Sequence, residues 1–306
     1  MAGDLHIPPR LARTVVAWEG DRGQGWLRRL PALVAELASG WDLDVGPPFE
    51  PGGQISWVAP VRRRRDGGEA VLKVQLPHPE SGTEALGLAT WGGVGAVELL
   101  AHDAQRCGLL LERCHPGLAL ADHSDHDAVL VQAVAVAASL HEPAPPAGVA
   151  SLAEVLDRWG DELEGRLARH GSADPGMDAM AVATFREVPR TASRQVLLHG
   201  DLNPTNVLSA RRSPWLAIDP KPMVGDPAYD GARLVTQPDP HRSADPAATV
   251  ARRLAVVATA LDVPEPELAR WCVADCVEIA VSARATGDHR RAAASHAAGR
   301  LLLGHL

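Results

Sequence analysis

Aromatic and sulfur-bearing residues are scarce in this sequence of 306 residues, which contains two Phe, one Tyr and four Cys. With so few aromatics, Ala, Leu and Val must supply most of the core. The apolar fraction of 46% is still large enough to exclude global disorder. No two cysteines show Cys-x-x-Cys spacing, so the common zinc and redox motifs are excluded and a reducing compartment is favoured.

The sequence also lacks a basic surface signature and long apolar runs. Its formal net charge of −8 argues against nucleic acid as a partner and is compatible with a cationic substrate, although ordinary solubility explains it equally well. No stretch reaches the roughly 18 apolar residues of a membrane helix, and residues 1–20 do not read as a signal peptide. We therefore expect a cytoplasmic protein with no membrane contact, and nothing in the sequence implies a protein partner.

The apolar pattern changes along the sequence from strand-like to helical. Residues 1–40 read as a helical extension, and a helix is expected over 83–91. Strands are expected over 54–61, 70–76, 94–100 and 109–112. From Ala128 onward the pattern is that of long helices. We therefore predict an α+β fold with a small antiparallel β-rich lobe at 1–112 and a larger α-helical lobe at 113–306.

One polar loop between two apolar runs contains chemistry-bearing residues at informative intervals. Asp201 lies five residues before Asn206 and eighteen before Asp219. A loop held on buried strands can place a base and two oxygen ligands in one small volume. Phosphoryl transfer requires that arrangement, with Asp201 accepting the proton of the attacking hydroxyl while Asn206 and Asp219 hold Mg²⁺ on the phosphates.

The spaced set His199-Gly-Asp-x-x-x-x-Asn206 with Ile218-Asp219 resembles the aminoglycoside phosphotransferases. It is most similar to the branch containing streptomycin 6-phosphotransferases and hydroxyurea-resistance kinases. The resemblance runs from about Gly40 to the C-terminus. Phrases typical of that branch are found at residues 91–93, 109–113, 214–222 and 224–227.

This resemblance implies a bilobal, protein-kinase-like fold with ATP and Mg²⁺ as cofactors. It also implies that the lobe at 1–112 binds the nucleotide and that the lobe at 113–306 is catalytic and binds the substrate. The implied activity is ATP-dependent phosphorylation of an aminoglycoside hydroxyl, above all that of streptomycin, with antibiotic resistance as the role. One alternative is a kinase of another small hydroxylated compound, such as hydroxyurea. Another is a nucleotide-binding pseudokinase, against which the retained Asp201 argues because a binding module needs no base.

Lys73 stands alone among apolar residues in a predicted strand. The resemblance implies that it contacts the α- and β-phosphates, whereas a lone lysine is otherwise read as an edge-strand residue facing water. Its ammonium needs a carboxylate partner. We expect this partner to be Glu84, at the start of the helix over 83–91, and Glu80 is the alternative.

Two further segments are candidates for nucleotide binding. Gly52 and Gly53, with Ser56 after them, precede the first strand, and backbone amides of such a loop can approach phosphates because glycine has no Cβ. Pro-Gly-Gly is also an ordinary turn. In the segment expected to join the lobes, the backbone carbonyl of Glu112 and the backbone N–H of Cys114 are the implied contacts of an adenine edge.

Several residues near the loop have expected supporting roles. His199 should brace the loop by hydrogen bonding, and Asp226 and Asp230 should bind backbone amides and cap a helix. Gly200 stands where many protein kinases carry Arg, so control by activation-loop phosphorylation is not expected. Lys221 either faces the phosphates or is exposed, and the sequence does not decide between them.

Asp275 and Glu278 are spaced i, i+3 on one face of an otherwise apolar helix. Burying such carboxylates without partners is costly, so we expect them to contact a polycationic acceptor. A solvent-facing stripe explains the same spacing equally simply.

Overall fold

The computed structural model of the protein describes residues 5–78 and 81–306. Its contacts divide the protein into two compact units, Met1–His115 and Pro116–Leu306. The first unit contains most of the strands and the second most of the helices, as predicted. The nucleotide-binding and catalytic assignments of the two lobes stay predictions. Glu80, the competitor for Lys73, lies outside the described residues.

The first unit is an antiparallel sheet with a long and a short helix. Its described elements are α1 (Pro9–Gly40), β1 (Leu43–Val45), β2 (Ser56–Arg63), β3 (Glu69–Gln75), α2 (Thr83–Trp91), β4 (Leu99–Asp103) and β5 (Gly108–Glu112). Their order in the sheet is β1-β2-β3-β5-β4, which makes β3 the central strand.

Helix α1 forms a core with this sheet. Its buried residues Trp26, Leu30 and Leu37 recur at helical spacing, so they form one apolar face. This face belongs to the same buried cluster as Trp57 of β2 and Leu72 of β3. The 1–40 segment is therefore an integral part of the first unit.

The strand expected over 94–100 is wrong, because β4 begins only at Leu99. Gly92, Gly93 and Gly95 all have φ values in the left-handed region, which is incompatible with extended backbone. The apolar residues at 94 and 97 therefore belong to a turn-rich segment between α2 and β4.

The second unit is mostly helical, with two short antiparallel ribbons. Its described elements are α3 (His126–Leu140), α4 (Leu152–His170), α5 (Pro175–Thr191), β6 (Val196–Leu198), β7 (Val207–Ser209), β8 (Trp215–Ala217), β9 (Met223–Gly225), α6 (Pro227–Thr236), α7 (Pro246–Leu261), α8 (Glu265–Ala285) and α9 (His289–Leu302). Helix α8 packs against α4, α5, α6, α7 and α9. Within the described ranges, no helix has the length and apolar character needed to cross a membrane.

The two ribbons bring the loops of interest together. β6 pairs with β9, so Leu198 lies opposite Met223. β7 pairs with β8, so Val207 lies opposite Ala217. Because both pairings are antiparallel, the start of the loop at 199–206 lies beside the end of the segment at 218–222, and the end of the loop lies beside the start of that segment.

Candidate active site

The backbone of the 199–206 loop is hydrogen-bonded directly to the 218–222 segment. The amide of Lys221 donates to the carbonyl of His199 (2.7 Å), and the amide of Ile218 donates to the carbonyl of Asn206 (2.9 Å). Gly200 has φ +78, and a Cβ on it would lie 2.0 Å from the carbonyl oxygen of Lys221. Only glycine permits this approach, which explains its presence where many protein kinases carry Arg.

Asp230, on helix α6, holds the start of the loop. Its Oδ2 accepts from the amide of His199 (2.8 Å) and its Oδ1 from that of Gly200 (2.9 Å). His141 contacts the same carboxylate at 3.0 Å. Burial acts to raise the pKa of Asp230, but the hydrogen bonds and electrostatic interactions with His141 and His199 outweigh it and lower that pKa. Asp230 thus binds backbone amides, as the sequence predicts.

His199 is fully buried and braces the loop. Burial lowers the pKa of its imidazole, which therefore stays neutral. Its Nε2 lies 3.0 Å from the carbonyl of Ile218, and its Nδ1 accepts from the amide of Asp201 at 3.3 Å. This pattern assigns the proton to Nε2, with Nδ1 as acceptor.

The carboxylate of Asp201 lies between two cations. Lys221 Nζ donates to Oδ2 at 2.8 Å, and Arg233 Nη1 donates to Oδ1. The Asp201 side chain is 15% exposed and that of Lys221 is 50% exposed. Lys221 is therefore both exposed and paired with the predicted base.

Asn206 and Asp219 lie at the same end of the β7–β8 ribbon. The Nδ2 of Asn206 donates to the carbonyl of Asp201 at 2.9 Å, which leaves its amide oxygen as the group for a cation. Asp219 has φ +57, so the backbone turns sharply immediately after Ile218. Among the described residues, no group of three or more His, Cys, Asp or Glu side chains could hold a metal. Two oxygen donors of this kind suit Mg²⁺, which takes few protein ligands and keeps phosphate and water oxygens.

A cavity of about 260 Å³ adjoins Asp201, and both predicted acceptor carboxylates line it. Each is already paired: Asp275 accepts from Arg233 Nε at 2.9 Å, and Glu278 accepts from Arg166 Nη1 at 3.1 Å. Burial raises the pKa of Asp275 above its ordinary value, with Arg233 acting in the opposite direction. The cavity is also lined by four aromatic side chains, Trp159, Phe185, Tyr229 and Trp271.

The two arginines, Arg233 and Arg166, are not among the residues expected from the sequence to lie at the site. Arg233 follows Asp230 by three residues on α6, so the helix presents both toward the same loop. That spacing is the one signal available in the sequence. Arg166 gives no comparable signal, because its partner Glu278 is 112 residues away.

In the first unit, Lys73 and Glu84 form a buried ion pair. The ammonium donates to both carboxylate oxygens of Glu84, at 2.8 and 2.6 Å, and Gln75 donates to the same carboxylate at 2.6 Å. Lys73 lies on the central strand and is 5% exposed, which excludes an edge lysine facing water. Glu84 is thus the partner of Lys73 in this structure.

The glycines before β2 have a local structural reason. A Cβ on Gly52, where φ is +83, would lie 2.8 Å from Cβ of Pro8, and one on Gly53 would lie 2.8 Å from the carbonyl oxygen of Ser56. Ser56 is the buried first residue of β2. Phosphate binding by this turn stays a prediction.

Glu112 ends β5, and its side chain accepts from the amide of Glu98 at 3.0 Å. Its amide donates to the carbonyl of Glu98 at 2.9 Å. Cys114 follows two residues later and is partly buried. The adenine contacts expected of the Glu112 carbonyl and the Cys114 amide stay predictions.

Comparison with known sequences identifies the family. The profile of the family described as "Aminoglycoside/hydroxyurea antibiotic resistance kinase" matches residues 45–287. A streptomycin 6-kinase of Streptomyces glaucescens is 38% identical over 230 residues, which span 74% of this sequence and 73% of that protein. A hydroxyurea phosphotransferase of Kitasatospora aureofaciens is 37% identical over 232 residues, which span 74% and 66%.

Solved structures show the same architecture at low identity. The choline kinase LicA from Streptococcus pneumoniae has a TM-score of 0.60 and 12% identity, and the match spans 90% of this protein and 99% of LicA. A thermostable mutant of aminoglycoside phosphotransferase APH(4)-Ia, bound to AMP-PNP and hygromycin B, has a TM-score of 0.59 and 14% identity, with spans of 90% and 98%. These likenesses confirm the predicted kinase-like fold. The protein therefore belongs to the family of aminoglycoside/hydroxyurea antibiotic resistance kinases, nucleotide-dependent phosphotransferases that act on hydroxyl groups of small molecules.

Proposed function

We propose that this protein phosphorylates a hydroxyl of streptomycin with ATP and thereby confers resistance to that antibiotic. The observation that carries the proposal is the position of Asp201 at the wall of the cavity, on the same loop as Asn206. The identity of 38% to two streptomycin 6-kinases supports streptomycin as the acceptor.

In this reaction the acceptor hydroxyl lies in the cavity beside Asp201. A bond forms between its oxygen and the γ-phosphorus, and the bond from that phosphorus to the β–γ bridging oxygen breaks, which releases ADP. The hydroxyl proton passes to the carboxylate of Asp201 and then to solvent. Asp230 and His199 contribute by fixing the backbone that presents this carboxylate.

Asn206 and Asp219 are the residues that would hold Mg²⁺, since both offer oxygen donors at one end of the β7–β8 ribbon. When bound, the ion neutralises negative charge on the transferring phosphates. Lys73, which is held by Glu84, is the proposed cationic contact of the α- and β-phosphates. Gly52, Gly53, Ser56, Glu112 and Cys114 complete the proposed nucleotide contacts.

Hydroxyurea is the second candidate acceptor, and one observation favours it. Asp275 and Glu278 are neutralised by the protein's own arginines, so the cavity does not present two unpaired carboxylates to a polycation. A small neutral acceptor needs no such carboxylates.

The test is a coupled ADP-release assay of the purified protein with ATP and Mg²⁺. Streptomycin, other aminoglycosides and hydroxyurea serve as acceptors, and mass spectrometry identifies the product. We expect streptomycin to gain one phosphoryl group at the expense of one ATP. ADP release that is the same with and without every acceptor would contradict the proposal, and turnover with hydroxyurea alone would establish the second candidate.

A further inference from the structure

A series of ion pairs leads from helix α8 through helix α6 to the predicted base. Asp275 on α8 accepts from Nε of Arg233 at 2.9 Å. Nη1 of the same guanidinium donates to Oδ1 of Asp201. Three side chains separated by 32 and 42 residues in sequence are thereby joined at one wall of the cavity.

The guanidinium suits this bridging position for a geometric reason. Its donors lie on separate nitrogens of a rigid plane, so a bond at Nε fixes the direction in which Nη1 points. Asp275 is 13% exposed, and Arg233 is 31% exposed. The attraction of Asp275, and then of Asp201, raises the pKa of Arg233, so its charge is permanent.

The two cations on Asp201 are held differently. Lys221 reaches Oδ2 from an exposed position, and its 50% exposed side chain has freedom to leave. Arg233 reaches Oδ1 from a helix, and its guanidinium is also held by Asp275. The carboxylate therefore has one anchored oxygen and one oxygen whose partner can be exchanged for an acceptor hydroxyl.

We propose that Arg233 is a positioning residue that fixes Oδ1 of Asp201 and so aims Oδ2 at the acceptor hydroxyl, with Asp275 as the anchor of the guanidinium. This inference rests on the proposed function, because it assigns the base role to Asp201. It gives Asp275 a role through Arg233, distinct from the direct substrate contact expected from the sequence.

The two roles of Asp275 predict different kinetic changes. A substrate contact that is equally strong in ground and transition states changes the acceptor KM and leaves kcat unaltered. An anchor of the base lowers kcat, since a displacement of about 1 Å at the reacting groups costs on the order of 10²-fold. The nucleotide KM should be indifferent to both.

The experiment measures kcat and both KM values for the wild-type protein and for the variants Arg233→Met, Arg233→Lys and Asp275→Asn. Arg190→Met is the matched control, because it removes an exposed arginine–aspartate pair of the same unit, with Asp157, away from the cavity. Circular dichroism and thermal melting check folding, and ATP affinity is measured separately.

We expect Arg233→Met to lower kcat by on the order of 10²-fold with less than threefold change in the nucleotide KM. Arg233→Lys should not rescue it, because one ammonium cannot supply donors on two separate nitrogens. Asp275→Asn should lower kcat by roughly tenfold, and the double variant Arg233→Met with Asp275→Asn should lose less than the product of the single losses. The control should retain wild-type kcat.

Three outcomes would overturn the proposal. They are an Arg233→Met kcat within threefold of wild type, full rescue by Arg233→Lys, and an Asp275→Asn change confined to the acceptor KM. If Arg233→Met does not fold, Arg233→Lys and Asp275→Asn still decide. A wild-type protein that transfers phosphate to none of the acceptors would contradict the proposed function instead, so the two failures are distinguishable.

Discussion

At the scale of single residues, the site depends on charges held at fixed places by buried partners. Asp201 has a cation on each oxygen, Lys73 has a buried carboxylate, and Asp230 holds two loop amides. Such pairs are costly to break on one side, because the remaining charge is left unpaired. Conservative substitutions that keep the shape are therefore the informative ones.

Replacing Asp201 with Asn should preserve ATP binding and abolish most turnover. General-base contributions are typically about 10²–10⁴-fold, so kcat at saturating acceptor should fall within that range. ADP release measures the loss, and calorimetric titration with a non-hydrolysable ATP analogue checks binding. A decrease below roughly tenfold would remove Asp201 from the base role.

Replacing Asp219 with Ala should abolish Mg²⁺-dependent transfer while the fold is retained. The substitution removes one of two oxygen donors at the end of the β7–β8 ribbon, and Ala cannot replace a carboxylate ligand. Activity is measured across a Mg²⁺ titration, with thermal melting as the folding control. An Ala variant that is active at ordinary Mg²⁺ would show that Asp219 is not a required metal ligand. A variant that unfolds would show that Asp219 is structural.

Glu267 gives a stability prediction with a defined pH window. Burial and the neighbouring Asp226 raise its pKa from 4.5 to about 7. The folded state therefore binds the proton more tightly than the unfolded state, and this contribution is fully present below pH 4.5 and lost as pH rises through 7. We expect the melting temperature of wild type relative to Glu267→Gln to decrease between about pH 5 and about pH 7.5. A difference that does not vary with pH would contradict the assignment.

At the scale of elements, local signals in the sequence locate the ends of helices well, but they do not show which side chains are brought together by the tertiary structure. Helix α4 (Leu152–His170) lies in the region expected to be helical from Ala128 onward, with a Ser151–Glu154 capping box at its start and Gly171 after its end. The strand expected over 94–100 is wrong because left-handed glycines interrupt it. Arg233 could not be connected to Asp201 or Asp275 from sequence, since it is the packing of α6 against β6 and against α8 that brings them together.

The contact between the 199–206 loop and the 218–222 segment predicts the effect of Gly200→Ala. A methyl group there would overlap the carbonyl of Lys221, so the two segments must separate and Asp201 must move. We expect a loss of kcat of at least roughly tenfold, together with a lower melting temperature. Gly287→Ala is the control, because it has the same φ of +78 with nothing within 4 Å. Equal effects of the two variants would attribute the result to backbone strain alone.

At the scale of the whole molecule, the net charge of −8 and the cavity carboxylates concern the choice of acceptor. Composition is compatible with a cationic substrate, and the resemblance names the same class. The structure adds the compensating arginines, which a sequence with no indication of tertiary contacts does not reveal. Measurements of acceptor binding therefore test whether the acceptor is cationic more directly than a comparison of folds does.

If the acceptor is streptomycin, whose guanidinium groups are cationic, its KM should rise with salt and with Glu278→Gln. Coulomb attraction at a partly exposed site is screened over roughly 8 Å at physiological ionic strength. We expect Glu278→Gln to raise the acceptor KM by about tenfold and to leave the nucleotide KM unchanged. Hydroxyurea, being neutral, should show neither effect. Acceptor KM values indifferent to both changes would favour the neutral acceptor.

Helix α1 has a practical consequence for anyone who expresses part of this protein. The family profile begins at residue 45, but α1 ends at Gly40 and supplies Leu30 and Leu37 to the core of the sheet. A fragment that begins at residue 45 lacks α1, so it would expose an apolar face of β2 and β3 to solvent. Such an exposed apolar surface is prone to aggregation. Expression boundaries should therefore include α1, although the family profile does not.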